Sequence, residues 1–319
     1  MTHDLLDISV VIVTWNGKEF IGRCLSSIRC ALRGLRAEVF IVDNASTDGT
    51  PDLVEKEFPE FTLIRNTDNL GFARANNIAM KFARGKYVCL INSDVIATSD
   101  CLEQMVRFMD EHEDIGLLGP KMVMPDGTIG TACMRRPTLC VWLVEAFGLR
   151  SIFKNTTLHM SNLNHLVIQD VDVLNGWFWM ARKSAVDCVG LLDEHFFMYG
   201  EDIEWCHRFW KQGWRVAYFP NAEATHHVGA SASRAPVRFY IELQRANLQY
   251  WKIHHGKLSQ SAFLLIIILH QMARILGFGV LTVLGRAKRW ETFHKIKRST
   301  ACLAWVFGFS GIQQRLSKS

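Results

Sequence analysis

Three acidic stops, far apart in the chain, carry most of its chemical information. The apolar run Val39-Phe40-Ile41-Val42 ends on Asp43-Asn44-Ala45-Ser46-Thr47-Asp48-Gly49. A second run, Tyr87-Val88-Cys89-Leu90-Ile91, ends on Asn92-Ser93-Asp94. Further on, Phe196-Phe197-Met198-Tyr199-Gly200 leads into Glu201-Asp202 at the head of an amphipathic stretch. In open α/β sheets ligands sit outside the carboxyl ends of the strands, so carboxylates just past two buried strands point at a ligand. Hard oxygen ligands beside a phosphate-bearing substrate suit a divalent cation, Mg2+ or Mn2+.

Each stop also has a plainer reading. Asp43 can accept a hydrogen bond from the imide N–H of a nucleotide base. The same Asp-Asn-Ala-Ser-Thr-Asp stretch is ordinary turn chemistry, and Asp48 reads as a turn or cap residue. Asn92 and Asp94 can hold a cation that bridges a diphosphate and neutralises charge on a departing phosphate. A strand-ending turn uses the same residue types. Glu201-Asp202 follows aromatic residues, so burial raises at least one carboxyl pKa and fits it to take a proton from a hydroxyl. Alternatively, the pair is favourable charge at a helix N-terminus. His226 and His227 follow a strand, and one imidazole can return to the site as a metal ligand or be structural. The N-terminal half has neither Gly-x-Gly-x-x-Gly after a strand nor a phosphate loop, so a nucleotide must be recognised in another way.

The elements that must position these residues follow from hydrophobic pattern. Residues 8–14 are a β-branched run, too continuous for a half-exposed strand, and read as a buried parallel strand. Further strands are expected at 39–42, 61–65, 87–91, 115–124, 171–174, 177–181 and 215–219. Helices are expected at 19–32, 50–58, 73–83, 102–109, 203–212 and 239–255. Thr50 followed by Pro51 reads as an N-cap with Pro at the first helical position. The alternation predicts an α/β, mostly parallel, doubly wound sheet flanked by helices, with right-handed crossovers. Residues 130–170 show no period and read as a loop-rich region that contacts a second substrate.

The chain of 319 residues suits one large domain or one domain plus an appendage, and at 49% hydrophobic it can bury a sizeable core. Nine cysteines without a Cys-x-x-Cys pair read as packing thiols in a reduced, cytoplasmic protein. The first seven residues lack a basic stretch, so no signal peptide is expected. Charge is divided unevenly. Residues 232–319 hold 14 Lys and Arg against 2 Asp and Glu, and residues 1–231 hold 22 against 29. This places a catalytic domain at 1–231 and a basic, apolar helical extension at 232–319. Basic residues flank apolar segments there, which fits an anionic membrane surface rather than nucleic acid. Residues 262–285 are long enough to span a bilayer, yet His270, Gln271 and Arg274 fall near the middle. We read 262–285 and the apolar patch at 301–309 as helices lying in the membrane interface. A single span and a buried helix pair are the alternatives.

In order, Thr14-Trp15-Asn16, Val42-Asp43-Asn44-Ala45-Ser46-Thr47-Asp48, Asn69-Leu70-Gly71-Phe72-Ala73-x-Ala75-Asn76-Asn77 and Asn92-Ser93-Asp94 resemble the family 2 glycosyltransferases of the GT-A fold. The stretch from Gly190 through Phe196-Phe197-Met198-Tyr199-Gly200-Glu201-Asp202-x-Glu204, then Arg208, Gly213-Trp214 and His226-x-x-Gly229-x-Ser231, looks like the rhamnosyltransferase-type branch. The resemblance covers about residues 8–255. It implies that Asp43 contacts the base or ribose with Thr14 and Asn16 nearby, and that Gly71, Phe72, Asn76 and Asn92 shape the donor site. It implies Asp94 as ligand to a Mg2+ or Mn2+ ion, with His226 (or else His227) as a further metal or diphosphate contact. Asp202 would be the general base, with Glu201 beside it. The chain departs from the branch at Ser93, where Pro is usual, and at Asn92, where the fuller metal motif has a carboxylate.

The implied activity is inverting transfer from a nucleoside-diphosphate sugar, dTDP-rhamnose first and then UDP-sugars. The implied acceptor is a lipid-linked or cell-envelope glycan at the inner membrane face. A sugar nucleotidyltransferase is the rival enzyme, but Trp15-Asn16-Gly17-Lys18 is a poor triphosphate loop. A non-catalytic, membrane-associated scaffold that binds nucleotide sugars is the rival from another class.

Overall fold

A computed structural model describes residues 6–153, 156, 158, 160, 164–227, 236–285 and 289–309. Gly229 and Ser231 of the His226 motif, the expected domain boundary at 231–232, and the basic residues Arg286 and Lys288 lie outside the described residues.

The first half alternates as expected: β1 (Ile8–Thr14), α1 (Lys18–Ala31), β2 (Ala37–Asp43), α2 (Thr50–Glu57), β3 (Thr62–Arg65), α3 (Phe72–Met80) and β4 (Tyr87–Asn92). Then come β5 (Val95–Ala97), α4 (Cys101–Glu111), β6 (Ile115–Val123), β7 (Cys133–Met134), α5 (Leu139–Ala146) and a short 3-10 turn at Leu149–Ser151. β8 (Gln169–Asp170), β9 (Val173–Leu174), β10 (Phe178–Arg182), α6 (Lys183–Val189), α7 (Glu201–Lys211) and β11 (Arg215–His226) complete the sheet region. Among the described residues three helices follow: α8 (Pro236–His254), α9 (Gly256–Val283) and α10 (Arg289–Val306).

Among the described residues the main sheet has nine strands in the order β3-β2-β1-β4-β10-β6-β11-β5, with β8 beside β11. β3, β2, β1 and β4 run parallel, and β10 is inserted antiparallel between β4 and β6. β1 is continuous in β-branched residues because both faces are covered: Ile8, Val10, Val11 and Ile12 are all fully buried. Helix α1 turns Ile21, Cys24, Leu25 and Ile28 to that core, a three-and-four spacing on one face. Ala73, Ala75 and Ala79 are equally buried on α3, where small side chains let the helix approach β1 and β2.

Several expectations need correction. Gly49, not Thr50, is the N-cap of α2; it sits at φ +83°, and Pro51 is inside the first turn. Thr50 donates its hydroxyl to Asp48 instead. The region 130–170 is not all loop, since it supplies β7, α5 and β8. β11 does not end before Pro220. A register shift against β6 between Phe219 and Glu223 takes up the proline, and the strand continues to His226.

By internal packing the chain divides into two units, residues 1–136 with 159–230 and residues 137–158 with 231–319. The first holds the sheet. The second is helical and takes in α5, which packs on α9 through Trp142 against Phe263, ring centres 5.3 Å apart. All nine cysteines are free.

Candidate active site

The carboxyl ends of β2, β1 and β4 lie side by side. Thr14 pairs in register with Asp43, and Val13 with Asn92. Asp43 is buried, and its Oδ2 accepts the Ser46 N–H at 3.0 Å, so it closes its own turn. Its Oδ1 is buried with no protein partner, and so is the Thr14 hydroxyl on the adjoining strand. Buried polar atoms are rarely left unpaired, so two of them at neighbouring strand ends mark a place for a polar ligand. Asn16, at φ +50°, accepts the Thr47 N–H at 2.8 Å and donates its own N–H to Ser46 at 2.8 Å. These bonds tie the loop after β1 to the loop after β2.

Asn44 was missed as an organising residue. Its Oδ1 accepts from Asn66 Nδ2 and from the Leu70 N–H, and its Nδ2 donates to Asn69 and to the Gly71 carbonyl. One buried amide thereby holds the turn leading into α3. The only advance signal was its place directly after Asp43. Gly71 then adopts φ +83°, ψ 177°, and the Phe72 N–H donates to the Phe197 carbonyl at 2.7 Å. Asn76 is buried and donates to the Phe72 carbonyl within its own helix. Asn77, also missed, exchanges hydrogen bonds with the backbone of Leu192 and donates to Glu194.

Past β4, the Asn92 N–H donates to the Trp177 carbonyl, which stitches the strand end to the residue before β10. Asp94 Oδ1 lies 3.2 Å from His226 Nε2. The extended β11 delivers this imidazole, and Trp177 stacks on it at 5.4 Å with a 16° interplanar angle. His226 Nδ1 is buried without a protein partner. His227 points elsewhere: its ring packs on Phe20, while its N–H donates to the Asp94 carbonyl. Among the described residues no three His, Cys, Asp or Glu side chains gather as a metal cluster, so Asp94 and His226 stand as a pair.

Glu201 and Asp202 form the first turn of α7, after Gly200 at φ +77° and Tyr199 at φ +68°. Asp202 Oδ1 accepts the Ile203 N–H at 2.8 Å. Burial pushes its carboxyl up, partly offset by N–H groups of Ile203, Asp202, Gly200 and Gly176. Burial and then the Asp202 charge push Glu201 up as well, and Glu201 Oε2 has no protein partner. The two share one environment, so they titrate as a coupled pair, with burial holding both carboxyls above the ordinary carboxylate range. The helix is braced from behind. Arg208 pairs with buried Glu204 and donates to the carbonyls of Val189 and Leu191, and Trp205 donates to that of Gly190.

A raised folded-state pKa on a carboxyl means that folding binds its proton more tightly. Stability therefore falls as pH rises from the unfolded value of about 4.3 through the raised one. Glu201→Gln removes that loss. Thermal melts of the variant should match the parent at acid pH and gain on the order of 2 kcal/mol in mildly alkaline buffer. Equal melts in alkaline buffer would show that Glu201 is not held neutral by its surroundings.

The three groups are linked at one edge of one sheet. From Asp43 on β2 to the start of β10 is three strand spacings, roughly 14 Å. Gly176, next to Trp177, lies where an added Cβ would be 3.8 Å from the Asp202 Cβ. Asp94, His226, Trp177, Gly176 and Asp202 thus follow one another in space. Among the described residues the three non-glycine residues with positive φ, Asn16, Ala45 and Tyr199, all sit in the loops of this edge, the kind of strain that clusters at functional sites.

The sequence pattern of Glycosyl transferase family 2 matches residues 9–190. The chain is 31% identical over 242 residues to the N-acetylglucosaminyl-diphospho-decaprenol L-rhamnosyltransferase of Mycobacterium tuberculosis (strain ATCC 25618 / H37Rv), covering 71% of this chain and 78% of the relative. Among solved structures it is similar to the mannosyltransferase PcManGT from Pyrobaculum calidifontis in complex with GDP-Man and Mn2+. That likeness has a TM-score of 0.54 at 19% identity, covering 98% of this chain and 86% of that one. It is also similar to Staphylococcus aureus TarS 1–349 in complex with UDP, with a TM-score of 0.51 at 19% identity over 93% and 81% of the two chains. The fold is therefore GT-A, and the chain belongs to glycosyl transferase family 2.

Proposed function

We propose that the chain moves a hexosyl group, rhamnosyl first, from a dTDP- or UDP-sugar to a hydroxyl of a lipid-linked or cell-envelope glycan at the cytoplasmic membrane face. The observation that carries this reading is the adjacency just described: the Glu201–Asp202 pair lies against Gly176, one residue from the Trp177 ring that holds His226 to Asp94. Support for the sugar and the lipid-linked acceptor comes from the printed name of the Mycobacterium tuberculosis relative.

Asp43 and Thr14 offer unpaired buried oxygens for the nucleoside. Asp202 accepts the proton of the acceptor hydroxyl as its oxygen forms the new bond to the anomeric carbon. The bond to the diphosphate breaks on the opposite side, so one in-line displacement inverts the centre without a covalent enzyme intermediate. Asp94 Oδ1 and His226 Nε2 fit a divalent cation, because 3.2 Å is close to the roughly 3 Å between adjacent ligands of an octahedral ion. When bound, such an ion neutralises charge on the departing nucleoside diphosphate.

Incubation with dTDP-rhamnose or UDP-sugars, Mn2+ and a polyprenyl-diphosphate-linked acceptor should release nucleoside diphosphate and give a product of inverted anomeric configuration by NMR. Donor binding without turnover across the acceptor panel would favour the scaffold reading, and a retained anomer would refute the single displacement. Asp94→Ala should weaken Mn2+ binding in the presence of nucleoside diphosphate at least about tenfold by calorimetry, with transfer falling in step. Unchanged Mn2+ affinity would move the cation site elsewhere.

A further inference from the structure

Helix α9 is built inside out for a water-soluble helix. Positions 258, 261, 265, 269, 272, 276, 280 and 283 recur at intervals of three and four, one stripe along its whole length. All but Ser261 are apolar, and the seven apolar ones are exposed; Leu258 is 86%, Leu276 67% and Val283 87% exposed. The stripe runs for about 38 Å at 1.5 Å per residue.

Four polar residues, His270, Gln271, Arg274 and Thr282, face the other way, and each has a partner within this helical unit. Gln271 is fully buried and bonds Tyr240 of α8. Arg274 donates to Ser299 at 3.1 Å, and Thr282 to Thr292 at 2.8 Å, both on α10. His270 Nδ1 meets the Ala146 carbonyl of α5. The residues that argued against a bilayer helix from sequence alone are therefore the ones that bind α9 to its neighbours.

Among the described residues α9 is the one helix long and apolar enough to cross a membrane. A transverse α9 would nevertheless take α10 with it. Lys295 and Arg274 both lie over the Phe278 ring of α9, at 5.0 and 5.2 Å, and Arg298 lies over Tyr240 at 5.5 Å. Three cations would then sit at hydrocarbon depth, which is costly. A helix lying flat avoids that cost, because α8 and α10 cover only its inward side. A seam for a second copy of the chain would be flanked by exposed charges of both signs. Here residues 258–283 contain one charged side chain, Arg274, and it is turned inward. The C-terminal part as a whole is basic in composition: residues 232–319 carry 14 Lys and Arg against 2 acids.

We propose that the α9 stripe is a docking surface for an anionic lipid bilayer, with the helix lying in the interfacial plane and not spanning it. This stands independently of which sugar or acceptor the enzyme uses, because its test reads binding and not transfer. The full chain should co-float with vesicles of phosphatidylglycerol and phosphatidylcholine, less so with phosphatidylcholine alone, and binding should weaken with added salt. Leu265→Glu with Leu276→Glu should lower vesicle binding at least about tenfold. Both side chains are more than half exposed, so the circular dichroism and melting of the variant should match the parent; Leu265→Ala with Leu276→Ala gives a milder check on the same stripe. Alkaline carbonate should release the bound protein, and a C-terminal tag on protein added to preformed vesicles should stay open to protease. Retention in carbonate with a protected tag would overturn the proposal in favour of a span. No flotation, flotation that both double variants leave unchanged, or a dimer lost in the variants without vesicle binding would overturn it as well.

Discussion

Asp202→Asn should remove sugar transfer while leaving donor binding intact. The acceptor hydroxyl is a poor nucleophile until its proton has somewhere to go, and Asn offers the same shape without a basic oxygen. A positioned general base is worth about 10²–10⁴ in rate, so kcat should fall at least about 10²-fold. The side-chain oxygen of Asn can still accept the Ile203 N–H that holds Asp202 at 2.8 Å, so the head of α7 should keep its place. Calorimetric affinity for the nucleotide sugar should therefore change little. Burial raises the Asp202 carboxyl, so wild-type kcat/KM should climb with pH above the ordinary carboxylate range and then level off. A variant that turns over near the wild-type rate would remove Asp202 from the reaction. Loss in Glu201→Gln with an active Asp202→Asn would transfer the role to its neighbour.

The second large effect comes from a residue that carries no functional group. Gly71 holds φ +83° and ψ 177°, a region open essentially to glycine. A Cβ there would stand 2.3 Å from the Phe197 carbonyl oxygen, which accepts the Phe72 N–H. Phe197 is five residues before Asp202, in the loop that sets the start of α7. Gly71→Ala must either break that hydrogen bond or push the loop away. We expect a loss of about 3 kcal/mol or more in stability, and at least about 100-fold in kcat at a temperature where the variant is folded. Gly127 is the control. It has the same φ of +83° but nothing within 4 Å of an added Cβ, so Gly127→Ala should cost only backbone strain, about 1 kcal/mol. Equal effects at the two positions in denaturant melts and transfer assays would mean that the Gly71–Phe197 contact does not hold the loop.

The strands that carry the site were legible because burial on both faces makes their code simple. Residues 8–14, 39–42 and 87–91 read as continuous apolar runs, and β1, β2 and β4 include them all. Family 2 membership and the GT-A fold were likewise legible, from the ordered motifs rather than from any one of them. What failed to show were features set by tertiary contact. β5 is three residues long and pairs with the last part of β11, so neither has a local signature. Pro220 masked the continuation of β11 because the register shift that accommodates it depends on β6. That hid how His226 reaches Asp94, and hid Trp177 as the ring that supports the imidazole. Asn44 and Asn77 looked like turn and helix residues, since an amide that clamps a distant loop has no spacing rule. In α9 the polar residues were visible, but their inward direction was set by Tyr240, Ser299 and Ala146.

The account rests on one pocket shared by residues that are distant in sequence, and a crystal structure of the chain with Mn2+ and a non-hydrolysable nucleotide sugar tests this directly. The base or ribose should lie on Asp43 and Thr14, the diphosphate beside Asp94 and His226, and the face of the anomeric carbon opposite the diphosphate should be open to Asp202. A donor bound away from this sheet edge, or one whose anomeric carbon is shut off from Asp202, would contradict it.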